Sequence, residues 1–276
     1  MSFETLAFIG AGNMASSLIS GLIADGYPPD CIRVSDTQSE LALGLADRYG
    51  VVACADNCEA VMSASVVVLA VKPQVMRTVL RGLSATLSET KPLLLSIAAG
   101  IACHSLQVWA GGLKSIVRAM PNTPAMVQSG ATGLYATREV SERQREVSES
   151  ILRAVGITVW VDKESLIDAV TALSGSGPAY FFLLMEAMEE AGVQLGLDRP
   201  TASLLSQQTA LGAGRIAIES TESPSELRRR VTSPGGTTER AIATFESGGL
   251  RQLVLHSMQA AQDRAEELSR ELGGNE

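Results

Sequence analysis

One stretch near the amino terminus decides most of what this chain can fold into. Residues 5–15 read TLAFIGAGNMA. The apolar run Leu6-Ala7-Phe8-Ile9 breaks at Gly10-Ala11-Gly12 and resumes in a helix-like segment from Met14 to Asp25. That is the pattern of a buried parallel strand turning sharply into a helix. Gly10 permits the turn, Gly12 lets a diphosphate approach bare backbone, and Ala15 allows close helix–sheet packing. The N–H groups of Ala11, Gly12, Asn13 and Met14 then face an anion at the positive end of the helix dipole. Glycines punctuate many strand–helix turns, so G-x-G-x-x-A gains its meaning from the residues downstream.

Downstream, strands and helices alternate. Strand-like runs are expected at Leu6–Ile9, Ile32–Ser35, Val51–Ala53, Val66–Val71, Leu93–Ile97, Ser115–Arg118, Thr132–Tyr135 and Thr158–Val161. Helices are expected between them at Met14–Asp25, Ser39–Tyr49, Gln74–Leu87 and Ser141–Val155. The alternation predicts an α/β fold, a doubly wound parallel sheet over residues 1–162. Beyond Asp162 the strand pattern ends, and residues 163–276 read as helices. Lys163–Leu173 is helical, Gly175-Ser176-Gly177-Pro178 interrupts it, and a long helix begins at Pro178 with Ser176 as a nearby cap. Further helices fit Thr201–Ile218, Pro224–Arg230, Thr237–Glu246 and Leu250–Leu272. Ala179–Met188 is apolar nearly all round, so it needs covering on every side, and a partner chain is expected to supply one wall.

Composition narrows the function. With 46% hydrophobic and 19% charged residues among 276, the chain is globular, not disordered. A net charge of −8 disfavours nucleic acid and anionic membrane as partners. Cys31, Cys54, Cys58 and Cys103 form no CxxC and have no metal-binding spacing, so no metal is expected and the thiols read as reduced. Neither a signal peptide nor an uninterrupted apolar run of about 18 residues is evident, which points to the cytoplasm.

A dinucleotide fold needs an acid about 20 residues after the glycine loop to hold a ribose hydroxyl. Asp36 stands there, between Ser35 and Thr37, whose hydroxyls suit either a ribose or a 2′-phosphate; Asp36 also suits a helix cap. Ala70-Val71-Lys72-Pro73 ends the fourth strand, and Ala98-Ala99 follows the fifth. Both lie where a doubly wound sheet binds its ligand.

Taken in order, these segments resemble pyrroline-5-carboxylate reductase. The resemblance rests on Gly10–Ala15, Ala70–Gln74, Ser96–Gly100, Arg118–Pro124, Leu173–Tyr180 and Leu227–Phe245. Its specific parts are GSGPAY and Val231-Thr232-Ser233-Pro234-Gly235-Gly236-Thr237-Thr238-Glu239. It implies a Rossmann domain followed by an all-helical dimerisation domain like the C-terminal part of 6-phosphogluconate dehydrogenase. It also implies a homodimer, five of which assemble into a decamer in many members, and reduction of 1-pyrroline-5-carboxylate to L-proline with NADPH. Asn57 falls where the family meets the adenosine portion, and Glu164 at a substrate-side position. Ser35-Asp36-Thr37 departs from the family's phosphate contacts, which leaves NADH possible.

The residues themselves are compatible with that chemistry. Gly235, Gly236 and Thr237 precede a helix and could form a cradle for a carboxylate, with Ser233 adding a donor. Thr238 offers a hydroxyl toward the ring nitrogen and is the expected catalytic residue. Neither His104 nor His256 sits in a motif. The alternatives are a reductase of another cyclic imine or of a hydroxy acid, and a non-catalytic NAD(P)-binding sensor. A hydroxy-acid dehydrogenase would carry a lysine early in the helix from Pro178, and Ala179–Leu184 has none.

Overall fold

A computed structural model describes residues 3–274. Two compact units emerge: Met1–Ser176 with Ala261–Glu276, and Gly177–Ala260. The strand pattern ends at 162, but the first unit continues to Ser176 and reclaims the end of the last helix.

Among the described residues, the first unit holds eight strands: β1 (Leu6–Ile9), β2 (Ile32–Ser35), β3 (Val52–Ala53), β4 (Val66–Leu69), β5 (Leu93–Ser96), β6 (Ile116–Met120), β7 (Gly130–Ala136) and β8 (Gly156–Trp160). Between them run α1 (Asn13–Ala24), α2 (Ser39–Tyr49), α3 (Asn57–Val61), α4 (Pro73–Thr90), α5 (Cys103–Trp109) and α6 (Glu142–Arg153), and α7 (Leu166–Val170) comes after β8. The strand order is β3-β2-β1-β4-β5-β6-β7-β8. Leu6 and Phe8 of β1 face one core, with Leu18, Ile19 and Leu22 of α1. Ala7 and Ile9 face the other, with Met76, Leu80 and Leu83 of α4. Opposite faces of one apolar strand are thus buried by helices on opposite sides, as a doubly wound sheet requires.

The expectation of a wholly parallel sheet needs correcting: β7 runs antiparallel to β6. A parallel return needs a crossover of a dozen or more residues. Residues 121–129 are too few, and most of them form the tight 3₁₀ turn Thr123–Val127. Ala15 is buried as expected, and Gly21 marks a close approach of α1 to the end of α6. A Cβ there would lie 2.4 Å from the carbonyl oxygen of Ala154.

The expected interruption at Gly175–Pro178 is also corrected. The backbone stays helical, passing from α7 through a π turn at Thr171–Gly175 into α8 (Gly177–Gln194). The Ser176 N–H donates to Thr171 O at 2.8 Å, a five-residue step that widens the helix without breaking it. Ser176 itself has helical angles (φ −83°, ψ −19°), so it does not cap the helix.

The second unit contains α8, α9 (Arg199–Glu219), α10 (Pro224–Arg230), α11 (Thr237–Ser247) and the start of α12 (Leu250–Gly273). The Ser206 hydroxyl donates to Met185 O and joins α9 to α8. Phe181, Phe182, Leu183, Leu204 and Leu211 are each more than half exposed. An apolar surface of that extent marks an association face. The expectation that no segment is apolar enough to cross a membrane needs amending, because Leu166–Gln194 meets the criterion by length and composition. A helix apolar all round also suits burial by another protein chain.

Candidate functional site

Within the first unit the expected cofactor residues converge on the carboxyl ends of β1, β2, β4 and β5. Between β1 and β4 the strand order reverses, and there a doubly wound sheet opens a crevice. Gly10 has φ +103°, and its N–H donates to Ser35 O at 2.8 Å. A Cβ on Gly10 would sit 2.7 Å from the Ala70 carbonyl oxygen, so only glycine lets β1 turn that close to the end of β4. Gly12 differs: it caps α1 without a side chain, and a Cβ there would meet no atom within 4 Å. Gly12 and Asn13 are exposed and Met14 is half-buried, so the helix N-terminus faces outward. The first turn of α1 carries no acidic residue to oppose an anion. The loop therefore fits a dinucleotide diphosphate.

Asp36 serves this loop directly. Its Oδ2 accepts the Ala11 N–H at 2.8 Å, and its Oδ1 accepts the Gln38 N–H at 2.9 Å. One carboxylate thus pins the glycine turn and the entry to α2. Oδ1 also accepts from the Thr37 hydroxyl at 3.4 Å, so the second lone pair of Oδ2 is the one left for a ribose hydroxyl. The buried Ser35 hydroxyl donates to Asn57 Oδ1 at 2.7 Å, which places Asn57, the first residue of α3, beside the end of β2. After β4, the Ala70 N–H continues the ladder to Ile9 O, and Val71 comes next. Lys72 stands in the N-cap position of α4, with Pro73 as first helical residue. After β5, Ala98 is buried, and Ala99 is half-buried.

Glu164 occupies a setting that its sequence position does not announce. Its Oε1 accepts from the Cys103 N–H at 2.7 Å and from Arg118 Nη1 at 3.1 Å, while Arg118 Nη2 reaches Asp168 Oδ1 at 3.1 Å. Arg118 is only 3% exposed. One guanidinium fork therefore ties β6 to both carboxylates flanking the start of α7. Burial pushes the Asp168 carboxyl above the usual carboxylate range, and Arg118 only partly offsets this. Burial and the Glu164 charge likewise push the Cys103 thiol up, which disfavours its thiolate. Sequence reasoning passes over Asp168 and gives Arg118 no role. The available signal is a charged residue inside the otherwise apolar Ile116–Met120.

Within the second unit, Ser233–Gly236 forms a turn with type II features. Pro234 takes the second position, Gly235 has φ +71° at the third, and the Gly236 N–H donates to Ser233 O at 3.0 Å. The expected three-donor cradle is therefore revised: the Gly236 N–H is closed on Ser233. Gly236 is nevertheless constrained, since a Cβ would lie 3.0 Å from Ser233 O. The Gly235 N–H points instead to Glu239 Oε2 at 2.7 Å. Thr237 and Thr238 are the first two residues of α11, whose N-cap Gly236 has no side-chain hydrogen bond. Ser233 and Thr238 are exposed or half-exposed, and the approach to the turn is open.

The pairing of these two motifs has close counterparts. Residues 164–268 match a family model described as pyrroline-5-carboxylate reductase dimerisation. Residues 5–100 match one described as NADP oxidoreductase coenzyme F420-dependent. A pyrroline-5-carboxylate reductase of Pseudomonas aeruginosa is 53% identical over 273 residues, 99% of this chain and 100% of that one. The chain belongs to the pyrroline-5-carboxylate reductase family. A solved reductase of this family from Coxiella burnetii superposes with a TM-score of 0.94 at 48% identity, covering 98% of this chain and 100% of that one. Another, from Plasmodium falciparum with NADP bound, gives 0.84 at 27% identity, again covering 98% and 100%. This reductase is thus an NAD(P)H-dependent oxidoreductase with a Rossmann-like sheet and a helical dimerisation region. The dimerisation match includes α8, α9 and most of α12, which together expose many large apolar side chains.

Proposed function

We propose that this chain reduces 1-pyrroline-5-carboxylate to L-proline, using NADPH and accepting NADH, as a soluble cytoplasmic homodimer that can assemble further into a decamer of five dimers. The observation that carries this reading is the joint presence of the open glycine loop at Gly12 and the Ser233–Gly236 turn leading into Thr237-Thr238. The first suits a dinucleotide, and the second a small anionic substrate.

The reaction adds a hydride to the imine carbon and a proton to the ring nitrogen. When bound, the nicotinamide supplies the hydride. The protein supplies placement. Gly12, Asn13 and Met14 hold the diphosphate, on a turn shaped by Gly10 and Ala11. The N–H groups of Gly10 and Ala11 are taken by Ser35 O and Asp36 Oδ2, contrary to the expectation for Ala11. Ser35, Asp36 and Asn57 hold the adenosine half; Ala70, Val71, Lys72, Pro73, Ala98 and Ala99 the nicotinamide half. Ser233, Gly235 and Thr237 take the substrate carboxylate, while Gly236 shapes the turn. The Thr238 hydroxyl faces the ring nitrogen, holding the iminium proton or passing it from water. Much of the rate comes from holding hydride donor and imine carbon at about 3–3.5 Å. Glu164, engaged by Arg118 through one oxygen, positions α7 and stands on the substrate side.

The direct test measures NADPH and NADH oxidation side by side with racemic pyrroline-5-carboxylate. Turnover with either supports the reading. Cofactor binding without turnover on both would redirect the search to other cyclic imines, then to a sensor role. The same assay measures what Asp36 does. Its carboxylate opposes a 2′-phosphate, so Asp36→Ala should raise the NADPH-to-NADH ratio of kcat/KM by about three- to tenfold. Because Asp36 also holds the Ala11 N–H, both absolute values should fall. An unmoved ratio would make Asp36 a purely structural clamp.

A further inference from the structure

The Gly235 N–H is one of the donors assigned above to the substrate carboxylate, yet in this structure it donates to Glu239 Oε2 at 2.7 Å. We propose that Glu239 is an internal anion which holds this donor until the substrate carboxylate displaces it, and so sets the substrate KM. The proposal rests on the assignment of this turn to the substrate carboxylate.

Three observations favour displacement over permanent capping. Glu239 is exposed, on the first turn of α11, so its carboxylate can swing into water at little cost. The turn does not need it for its shape, because the Gly236 N–H to Ser233 O bond already closes the loop around Pro234 and Gly235. A Cβ at Gly235 would meet no atom within 4 Å, so the approach to this backbone is unobstructed by the surrounding chain. Chemically the two anions are alike: each is a carboxylate drawn to one backbone donor at the positive end of one helix. They therefore compete. If both stayed close, they would repel across a few ångströms. Glu239 meets neither the cofactor nor the reacting atoms in this scheme. It is a positioning residue, and its effect belongs in KM rather than kcat.

The experiment uses the full-length chain and the variants Glu239→Gln and Glu239→Ala, with pyrroline-5-carboxylate varied at saturating NADPH. Both substitutions remove the competing charge. Both should lower KM by about three- to tenfold and leave kcat within roughly twofold. An unchanged or raised KM in both variants overturns the proposal and makes Glu239 a loop-ordering cap. A second readout separates this from failure of the functional assignment. L-Proline is titrated into ¹⁵N-labelled protein while the Gly235 amide resonance is monitored. A Gly235 shift that saturates at lower proline concentration in Glu239→Gln than in wild type supports the competition, even if pyrroline-5-carboxylate is not turned over. Absence of any proline-dependent shift in either protein overturns it.

Discussion

Thr238→Ala should lower kcat with pyrroline-5-carboxylate by roughly ten- to a thousandfold, the range spanned by a positioned proton-handling group. The dissociation constant for NADPH should not move. Thr238 is the second residue of α11 in the second unit, whereas the dinucleotide loop is built from β1, β2 and β4 in the first. The expected loss has a specific cause. Hydride addition to a C=N bond needs the nitrogen protonated, and a hydroxyl can both accept that proton's hydrogen bond and relay one from water. Thr238→Ser keeps the hydroxyl and should recover most of the rate. Thr238→Val keeps the shape without it and should match alanine. Single-turnover rates with all three variants decide the matter. A Val variant as fast as wild type would remove the hydroxyl from the chemistry and leave placement alone to account for the rate.

The fold is readable where each segment's physics is local. The apolar run before Gly10 and the glycines after it specify a strand–turn–helix without outside help. The conversion from alternating strands to helices near Asp162 is likewise visible in periodicity. Direction is less local: the strand expected at Thr132–Tyr135 is found as Gly130–Ala136, but its antiparallel pairing depends on the shortness of the preceding connection. The five-residue α3 and seven-residue α5 are too short to establish a helical period. The Gly-Ser-Gly-Pro stretch looks like a break because glycine and proline usually end helices, yet a π turn accommodates it.

The site divides the same way. Gly12 and the Ser233–Gly236 turn can be found from residue type and spacing. Partners far apart in sequence cannot. The Ala11 N–H lies 25 positions from Asp36, and Arg118 lies 46 from Glu164. Nothing in the local sequence around Asp36 or Glu164 reveals that each carboxylate is engaged by a donor from another element. Glu164 is placed on the substrate side by the family resemblance, and its hydrogen bonds add an architectural task.

That task predicts the second large effect. Arg118→Ala should destabilise the folded chain by about 3–5 kcal/mol, the usual cost of removing one partner from a buried ion pair. Arg118 bridges Glu164 and Asp168 with separate nitrogens, both at 3.1 Å, and its loss leaves two neighbouring carboxylates without their cation. Arg118→Lys should recover only part of this, since an ammonium lacks the planar fork that reaches both. The effect should also depend on pH, with a sign set by Asp168. Burial raises its carboxyl above the ordinary value, and the charges of Glu266 and Glu164 push the same way, while Arg118 pulls it down. A carboxyl raised on folding binds protons more tightly in the native state. It therefore favours folding most below the unfolded value, and that favour fades as pH rises through the folded value. Without Arg118 the folded value climbs further, so the variant can relieve its buried charge by protonation in mild acid. Denaturant unfolding should consequently show a smaller gap between Arg118→Ala and wild type at about pH 5 than at about pH 8. A gap that is the same at both would mean that lost packing, not stranded charge, carries the destabilisation. A gap below about 1 kcal/mol throughout would mean the ion triad does not hold β6 to α7 at all.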